Sequence, residues 1–410
     1  MNFLSSIIWL SLFLYSYPEG NCSLTEKGST FLQPIQGYEP GKFHRVKHKL
    51  VDSGSIHKVT FEQDATYGSS DTILLGKIAS VAVDEHNRVF IADKDQLVIH
   101  VYKPNGTYLT TLGRQGKGPG EFTNIGLLNI HSGNLYASDG DRLLLRVQVY
   151  SLKSLSFSHT IDLWAENRGT FKQFRDYFPV RFYPFGKKYM VAYAQPGTET
   201  LQGKSFIRYY RTNRKGKIIS DEILKLENRR QLVYKNPGGG TVGYSFPFLE
   251  KSLFAMSGDG KFYTARSGAF KIYEYDETGR QIRGLQQSIP KKSLTRSELI
   301  ERYKQKEMSF LGDGVAVKMI RKADHLPDTR PILNAMFVDD QNRIWVSTII
   351  DNEKVYEWWV MKNTGEVITK FKWPRDKPVE QVRINYMYTR ETDENGVEHV
   401  VRYQIKMDNE

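Results

Sequence analysis

"VAVDEHNRVFIAD" (residues 81–93) and "MFVDDQNRIWVST" (residues 336–348) share one frame, although they lie in opposite halves of the chain: Val-Asp-x-x-Asn-Arg, then aliphatic, aromatic and aliphatic residues. Each copy reads as a strand, a polar turn around Asp and Asn, and a second strand alternating with period two. Chance does not readily repeat such a frame at this distance. Internal repetition therefore has to be read before any single segment.

The segments downstream of the two copies repeat as well. "LVIHVYKPNGTYLTTL" (97–112) is two alternating strands joined by Asn105-Gly106, a pair that tolerates the positive φ of a tight hairpin turn. "FIRYYRTNRKGKII" (206–219), "FKIYEYDETGRQI" (270–282) and "VYEWWVMKNTGEVI" (355–368) share the same plan, turning at Gly216, Gly279 and Gly365. "LLLRVQVYSLKSLSFSHTI" (143–161) is a degenerate copy without the glycine. Each unit is four short antiparallel strands, and units fall near 78–112, 127–162, 180–226, 246–289 and 333–371. A last unit at about 382–408 has only three strands. The early segment 48–62, "HKLVDSGSIHKVTFE", is expected to supply the fourth and so close a ring without exposed edges. The fold class is all-β, with six blades over residues 45–408.

Two stretches break the rhythm. "KKSLTRSELIERYKQKEM" (291–308) places Glu298 three residues after Thr295, a capping box that predicts a helical insertion near 293–326, outside the blades or over one mouth of the channel. "ENRRQLVYKNPGGGTVGYSFP" (227–247) carries three successive glycines and predicts a long mobile loop. The repeated Val-Asp-x-x-Asn-Arg strand starts, the Asn105-Gly106 type of hairpin and the run Gly113-Arg114 through Gly118-Pro119-Gly120-Glu121-Phe122 together resemble the six-bladed β-propellers of the NHL-like kind, common among exported bacterial proteins. The resemblance implies architecture and leaves activity open, because propellers host unrelated functions.

"LGRQGKGPGEF" (112–122) concentrates four glycines and two cations. A P-loop needs a Ser or Thr after Gly-Lys, and here Gly118 comes after Lys117. A dinucleotide turn needs a third glycine, and Glu121 stands in its place. The stretch reads instead as a connector running from the rim of one blade to the centre of the next, with Phe122 plugging the gap. Its amides, beside Arg114 and Lys117, leave open an anion-binding nest at a funnel mouth.

Lys and Arg number 58 against 46 Asp and Glu, a formal charge of +12, which favours anionic partners without specifying fold. The basic residues are scattered, so a nucleic-acid arm is not expected. The apolar run Phe3–Tyr17 suits a secretory signal over 1–22 better than a membrane span, with a buried N-terminal helix as the alternative reading. Cys22 is the only cysteine, which excludes an internal disulfide and a thiolate zinc site. It stands where a bacterial lipoprotein is lipidated, although Glu19-Gly20-Asn21 departs from the usual lipobox, so lipidation and removal with the signal both remain open. A membrane enters only through that anchor.

His44 and His48 have no acidic third ligand in step, and neither H-E-x-x-H nor G-x-S-x-G occurs. Asp84, Asp93, Asp139, Asp259 and Asp339 recur at turns. They either cap those turns or assemble a calcium or zinc site at the channel mouth, as in six-bladed lactonases. Arg142, Arg146, Arg181 and Arg266 lie near first or second strands and, with Arg114 and Lys117, could form a guanidinium-rich mouth. The reading is an exported, non-catalytic binding or scaffold propeller without a cofactor. Its expected partner is an anionic small molecule, a glycan or a protein, held by Arg114, Lys117, Arg142, Arg181 and Arg266. A metal-dependent lactonase, hydrolase or lyase is the alternative.

Overall fold

A computed structural model describes residues 57–70, 73–140, 146–167, 177–186, 188–194, 205–235, 241–304 and 314–407. The expectations for residues 1–22, Cys22, His44, His48, Arg142 and the triple glycine at 238–240 lie outside these residues.

Six four-stranded antiparallel sheets succeed one another along the chain. Blade 1 comprises Ile78–Val83, Val89–Asp93, Val98–Tyr102 and Tyr108–Leu112. Blades 2 to 5 begin with Ile125–His131, Phe178–Phe185, Ser252–Met256 and Leu333–Val338. Blade 6 takes Val379–Arg383, Tyr386–Thr392 and Glu398–Met407 from the end of the sequence and Val59–Tyr67 from its start. Val59 pairs with Met407 and Tyr67 with Val400, so the N-terminal strand closes the ring as expected.

First strands of neighbouring blades meet around the centre. Antiparallel order then fixes two faces. One, the connector face, carries the inter-blade connectors and the turns between second and third strands. The other carries the remaining hairpins.

The frame at 81–93 and 336–348 is a turn held by its own side chains. The Asp84 carboxylate accepts from the amides of His86 and Arg88 and from the Arg88 Nε. Asp339 accepts likewise from the amides of Gln341 and Arg343, from the Arg343 Nε and also from the Trp345 Nε1. Asn87 and Asn342 take the left-handed conformation, φ +56° and +59°, which asparagine tolerates better than most residues. Each position of the frame thus has a stereochemical duty.

Six apolar clusters fill the six gaps between blades, each drawing buried side chains from both neighbours. Phe122 is fully buried against Phe90, Leu135 and Tyr150, the plug expected of it. The hairpin glycines press against the preceding blade: a Cβ on Gly279, at φ +86°, would fall on the carbonyl oxygen of Ile223 in blade 3.

A helix, Arg296–Lys304, starts at Thr295, whose hydroxyl accepts from the Glu298 amide at 3.2 Å while Glu298 receives the Thr295 amide. A second helix, Val315–Lys322, packs against it, and the Arg296 guanidinium caps its carbonyl end at Ile320, Arg321 and Ala323. Both bury apolar faces on Phe246, Phe248 and Leu249 of the connector into blade 4. That connector corrects the long-loop expectation. Leu232–Lys235 and Thr241–Tyr244, within the segment expected to be a loop, pair as two antiparallel strands.

Candidate functional site

The glycine-rich connector holds an anion, and the anion is its own. Arg114–Gln115 and Glu121–Phe122 pair as two short parallel strands, with Gly113 and Gly120 at φ +76° and +71° making the bends. The Gly118 amide donates to the Glu121 carboxylate at 2.8 Å, as does the Arg114 Nε, and these two hold that carboxyl below its ordinary range. The Gly120 amide goes to the Gln148 side chain and the Gly116 amide to the Phe122 carbonyl. With those amides engaged, the nest expected for an external anion is filled from within. Arg146 locks the loop from below, donating to Asp139 and to the carbonyls of Lys117 and Glu121.

The aspartates divide between the two faces. Asp84, Asp259 and Asp339 lie in turns between first and second strands, whereas Asp93 and Asp139 end second strands on the connector face. Asp93 accepts the amides of Gly76, Asp95 and Gln96, and Asp139 those of Thr123 and Asn124. Each therefore organises its own turn or the rim beside it. Among the described residues, no three His, Cys, Asp or Glu side chains gather at metal-ligand spacing.

At the connector-face mouth, the starts of the first strands of blades 1, 2 and 3 enclose a depression of about 380 Å³. Lys77, Lys94 and Arg181 line it, and among the described residues no carboxylate does. Backbone structure sets two of these cations. The Lys94 amide donates to the Lys77 carbonyl at 2.8 Å, and the Lys77 amide donates to Asp95. Arg181 sits at a bulge that shifts register between Pro179 and Arg181. Bulges near the same end interrupt the first strand pair in blades 1, 2, 5 and 6 as well, a device that re-aims side chains at a rim. All three cations are solvent-exposed, and none makes a side-chain ion pair with a described residue. The floor is small and partly apolar: Ala79, Gly126, Leu127, Val180 and the Ser138 hydroxyl.

Of the expected site residues that are described, only Arg181 lies in this depression. Arg114 is exposed and tied to Glu121, and Lys117 is exposed on the same connector. Arg266 is engaged by Glu227, Glu250 and the carbonyls of Glu227 and Asn228, so it braces the entry to blade 4. Lys77 and Lys94 carry no motif. Their only sequence signal is that each stands at a strand end on the connector face, which becomes meaningful after the blades have been counted.

No curated protein matches the chain. Among solved structures, it is similar to a member of the DUF4221 family from Bacteroides vulgatus, at 13% identity and a TM-score of 0.48 over 87% of this chain and 100% of that one. It is also similar to a candidate exported protein of Bacteroides fragilis, at 11% identity and a TM-score of 0.44 over 87% and 97%. A third similar structure is the aldose sugar dehydrogenase of Streptomyces coelicolor in its PQQ-bound form, at 11% and 0.41 over 85% and 98%. A family model described as a six-bladed β-propeller matches residues 66–309, more than half of the sequence, and the protein belongs to that family, DUF5128.

Proposed function

We propose that this propeller is an exported, non-catalytic binding module whose ligand carries a carboxylate, phosphate or sulfate into the connector-face mouth. One observation carries the reading: Lys77, Lys94 and Arg181, drawn from three segments of two blades, line one depression in which no described acidic residue answers them. An anion placed there exchanges its hydration for charge-assisted hydrogen bonds, and the guanidinium of Arg181 can grip it with two parallel donors. Export is supported by the apolar run Phe3–Tyr17, with Cys22 as the candidate for lipid anchorage. The metal-dependent alternative is not taken up, because the recurrent aspartates are committed to their own turns on opposite faces.

Titration calorimetry with inorganic phosphate, glucuronate and an acidic peptide tests the reading. Saturable binding by at least one probe is expected. Arg181→Ala should weaken it about tenfold to a hundredfold, the worth of one or two charge-assisted hydrogen bonds. Arg114→Ala should leave it unchanged. Equal affinity in wild type and Arg181→Ala removes the mouth as the site.

A further inference from the structure

A second depression, of about 310 Å³, lies on the connector face where the helical insertion overhangs blades 4 and 5. Among the described residues five cations line it, Arg229, Lys251, Arg302, Arg330 and Arg375, against a single carboxylate, Glu353. Two are neutralised nearby, Arg302 by Glu353 and Arg330 by Glu298. Among the described residues the Arg375 guanidinium bonds only to the carbonyls of Val355, Ile350 and Asn352 and lies over the Tyr356 ring at 4.4 Å. Arg229 and Lys251 make no side-chain hydrogen bond or ion pair with a described residue. Three formal positive charges thus share one pocket without a counter-charge among the described residues.

That arrangement is costly unless something answers it. Lys251 is half-buried, and its ammonium is pushed down to about 8, first by burial and then by repulsion from Arg229. The Arg375 guanidinium is also lowered, by burial first and by Arg302 and Arg330 after it. A structural ion-pair network would have placed carboxylates here, as it does around Arg266 a few residues away. The walls are mixed: Tyr356 is a half-buried ring at the pocket, the buried Phe246 and Phe248 back it, and Ser245 and Asn334 add polar side chains. The volume is at the small end of ligand sites.

We infer that this pocket is a second binding site, independent of the mouth, for a compact multivalent organic anion of about monosaccharide size. Its acidic groups meet Arg229, Lys251 and Arg375, and its carbon frame lies against the Tyr356 ring. The helical insertion is then a working part of the site, since it supplies Arg302 and holds one wall against the blades.

The test uses the full protein carrying Arg181→Ala, which weakens the mouth, at constant ionic strength. Citrate, glucose 6-phosphate and neutral glucose are titrated in calorimetry. The expected result is one saturable site for citrate or glucose 6-phosphate, with glucose inert; the preferred acid distinguishes carboxylate from phosphate recognition. Lys251→Gln and, separately, Arg229→Gln should each weaken that binding at least tenfold. Lys251→Gln should also melt no lower than its parent without ligand, because it removes a repelled cation, so loss of binding cannot be ascribed to misfolding. No saturable binding, equal binding of glucose, or affinity untouched by both substitutions overturns the inference. Failure here with an intact effect of Arg181→Ala on its own ligand leaves the mouth reading standing.

Discussion

Replacing Asp339 by Asn tests whether the repeated frame works as described. The Asn Oδ1 can still accept from the Gln341 and Arg343 amides, but its Nδ2 would face the Arg343 Nε and the Trp345 Nε1, now at 2.6 and 2.7 Å from Asp339. Two buried donors then lack an acceptor, and Arg343, whose side chain is only 7% exposed, keeps a charge without a partner. Breaking a buried pair from one side costs about 4 kcal/mol. At Asp84 the guanidinium of Arg88 is 19% exposed and also donates to the Leu152 carbonyl. Water and that carbonyl soften the loss there to about 2 kcal/mol. With about 2 °C of midpoint per kcal/mol for a large domain, Asp339→Asn should lower the melting midpoint by about 8 °C and Asp84→Asn by about 4 °C.

Thermal unfolding monitored by tryptophan fluorescence, with a urea titration beside it, measures both. The double variant Asp339→Asn with Arg343→Met should recover part of the loss, because it removes the stranded charge along with its former partner. A single variant within about 1 kcal/mol of wild type, equal losses at the two sites, or a double variant with simply added losses would refute the reasoning.

Three further outcomes rest on particular contacts. Gly279→Ala forces a Cβ onto the Ile223 carbonyl at a positive φ, so a loss of about 2 kcal/mol is expected in urea unfolding. Burial raises the carboxyl of Glu380 above its ordinary 4.5, with Arg390 opposing and Glu398 adding to the rise. Its ionised form therefore opposes folding as pH climbs past that value, so Glu380→Gln should raise the melting midpoint at pH 7 and lose that advantage below about pH 4. Lys251 has the opposite geometry of charge: its folded value of about 8 lies below its ordinary 10.5, so the protonated form is disfavoured in the fold. Lys251→Gln should stabilise at pH 7, with the gain fading as pH rises through 8 to 10.5. The groups facing this lysine are Arg229, Arg302, Arg330, Arg375, Glu353 and Tyr356; arginine holds its charge across the range. Affinity for citrate or glucose 6-phosphate should accordingly fall between pH 7 and 9 in wild type and stay level in Lys251→Gln.

The blades are legible in the sequence because their determinants are local. Asp339 reaches residues two to six positions ahead, Asn342 supplies its own left-handed turn, and strand alternation needs only neighbours. Thr295 and Glu298 announce the first helix for the same reason. The second helix, Val315–Lys322, begins after Gly314 without a side-chain cap and so carries no such announcement. The mouth is different in kind. Lys77, Lys94 and Arg181 converge only through the ring, and no spacing along the chain relates them. By sequence Arg266 is equally eligible, and only the fold brings Glu227 and Glu250, from a preceding strand and connector, around it.

This difference also gives meaning to the formal charge of +12, which composition alone could only attach to the whole surface. Acidic residues in this fold are heavily committed. Asp84, Asp93, Asp139 and Asp339 are almost wholly buried in turns and rims, and Glu121 stoppers the glycine-rich connector. Carboxylates fixed by the repeat cannot migrate to neutralise cations elsewhere, so any cluster of unanswered Lys and Arg reflects placement rather than average composition. Two such clusters occupy depressions, and both open on the connector face. On that face the blades are joined by variable connectors and one helical insertion, which can change without disturbing the Asp-x-x-Asn-Arg turns opposite. A ring that holds most of its structural acids in turns and rims, and gathers its free bases at one face, separates stability from recognition. For that reason Asp339→Asn should destabilise the ring without selecting against any ligand, while Lys251→Gln should stabilise the ring and lose one.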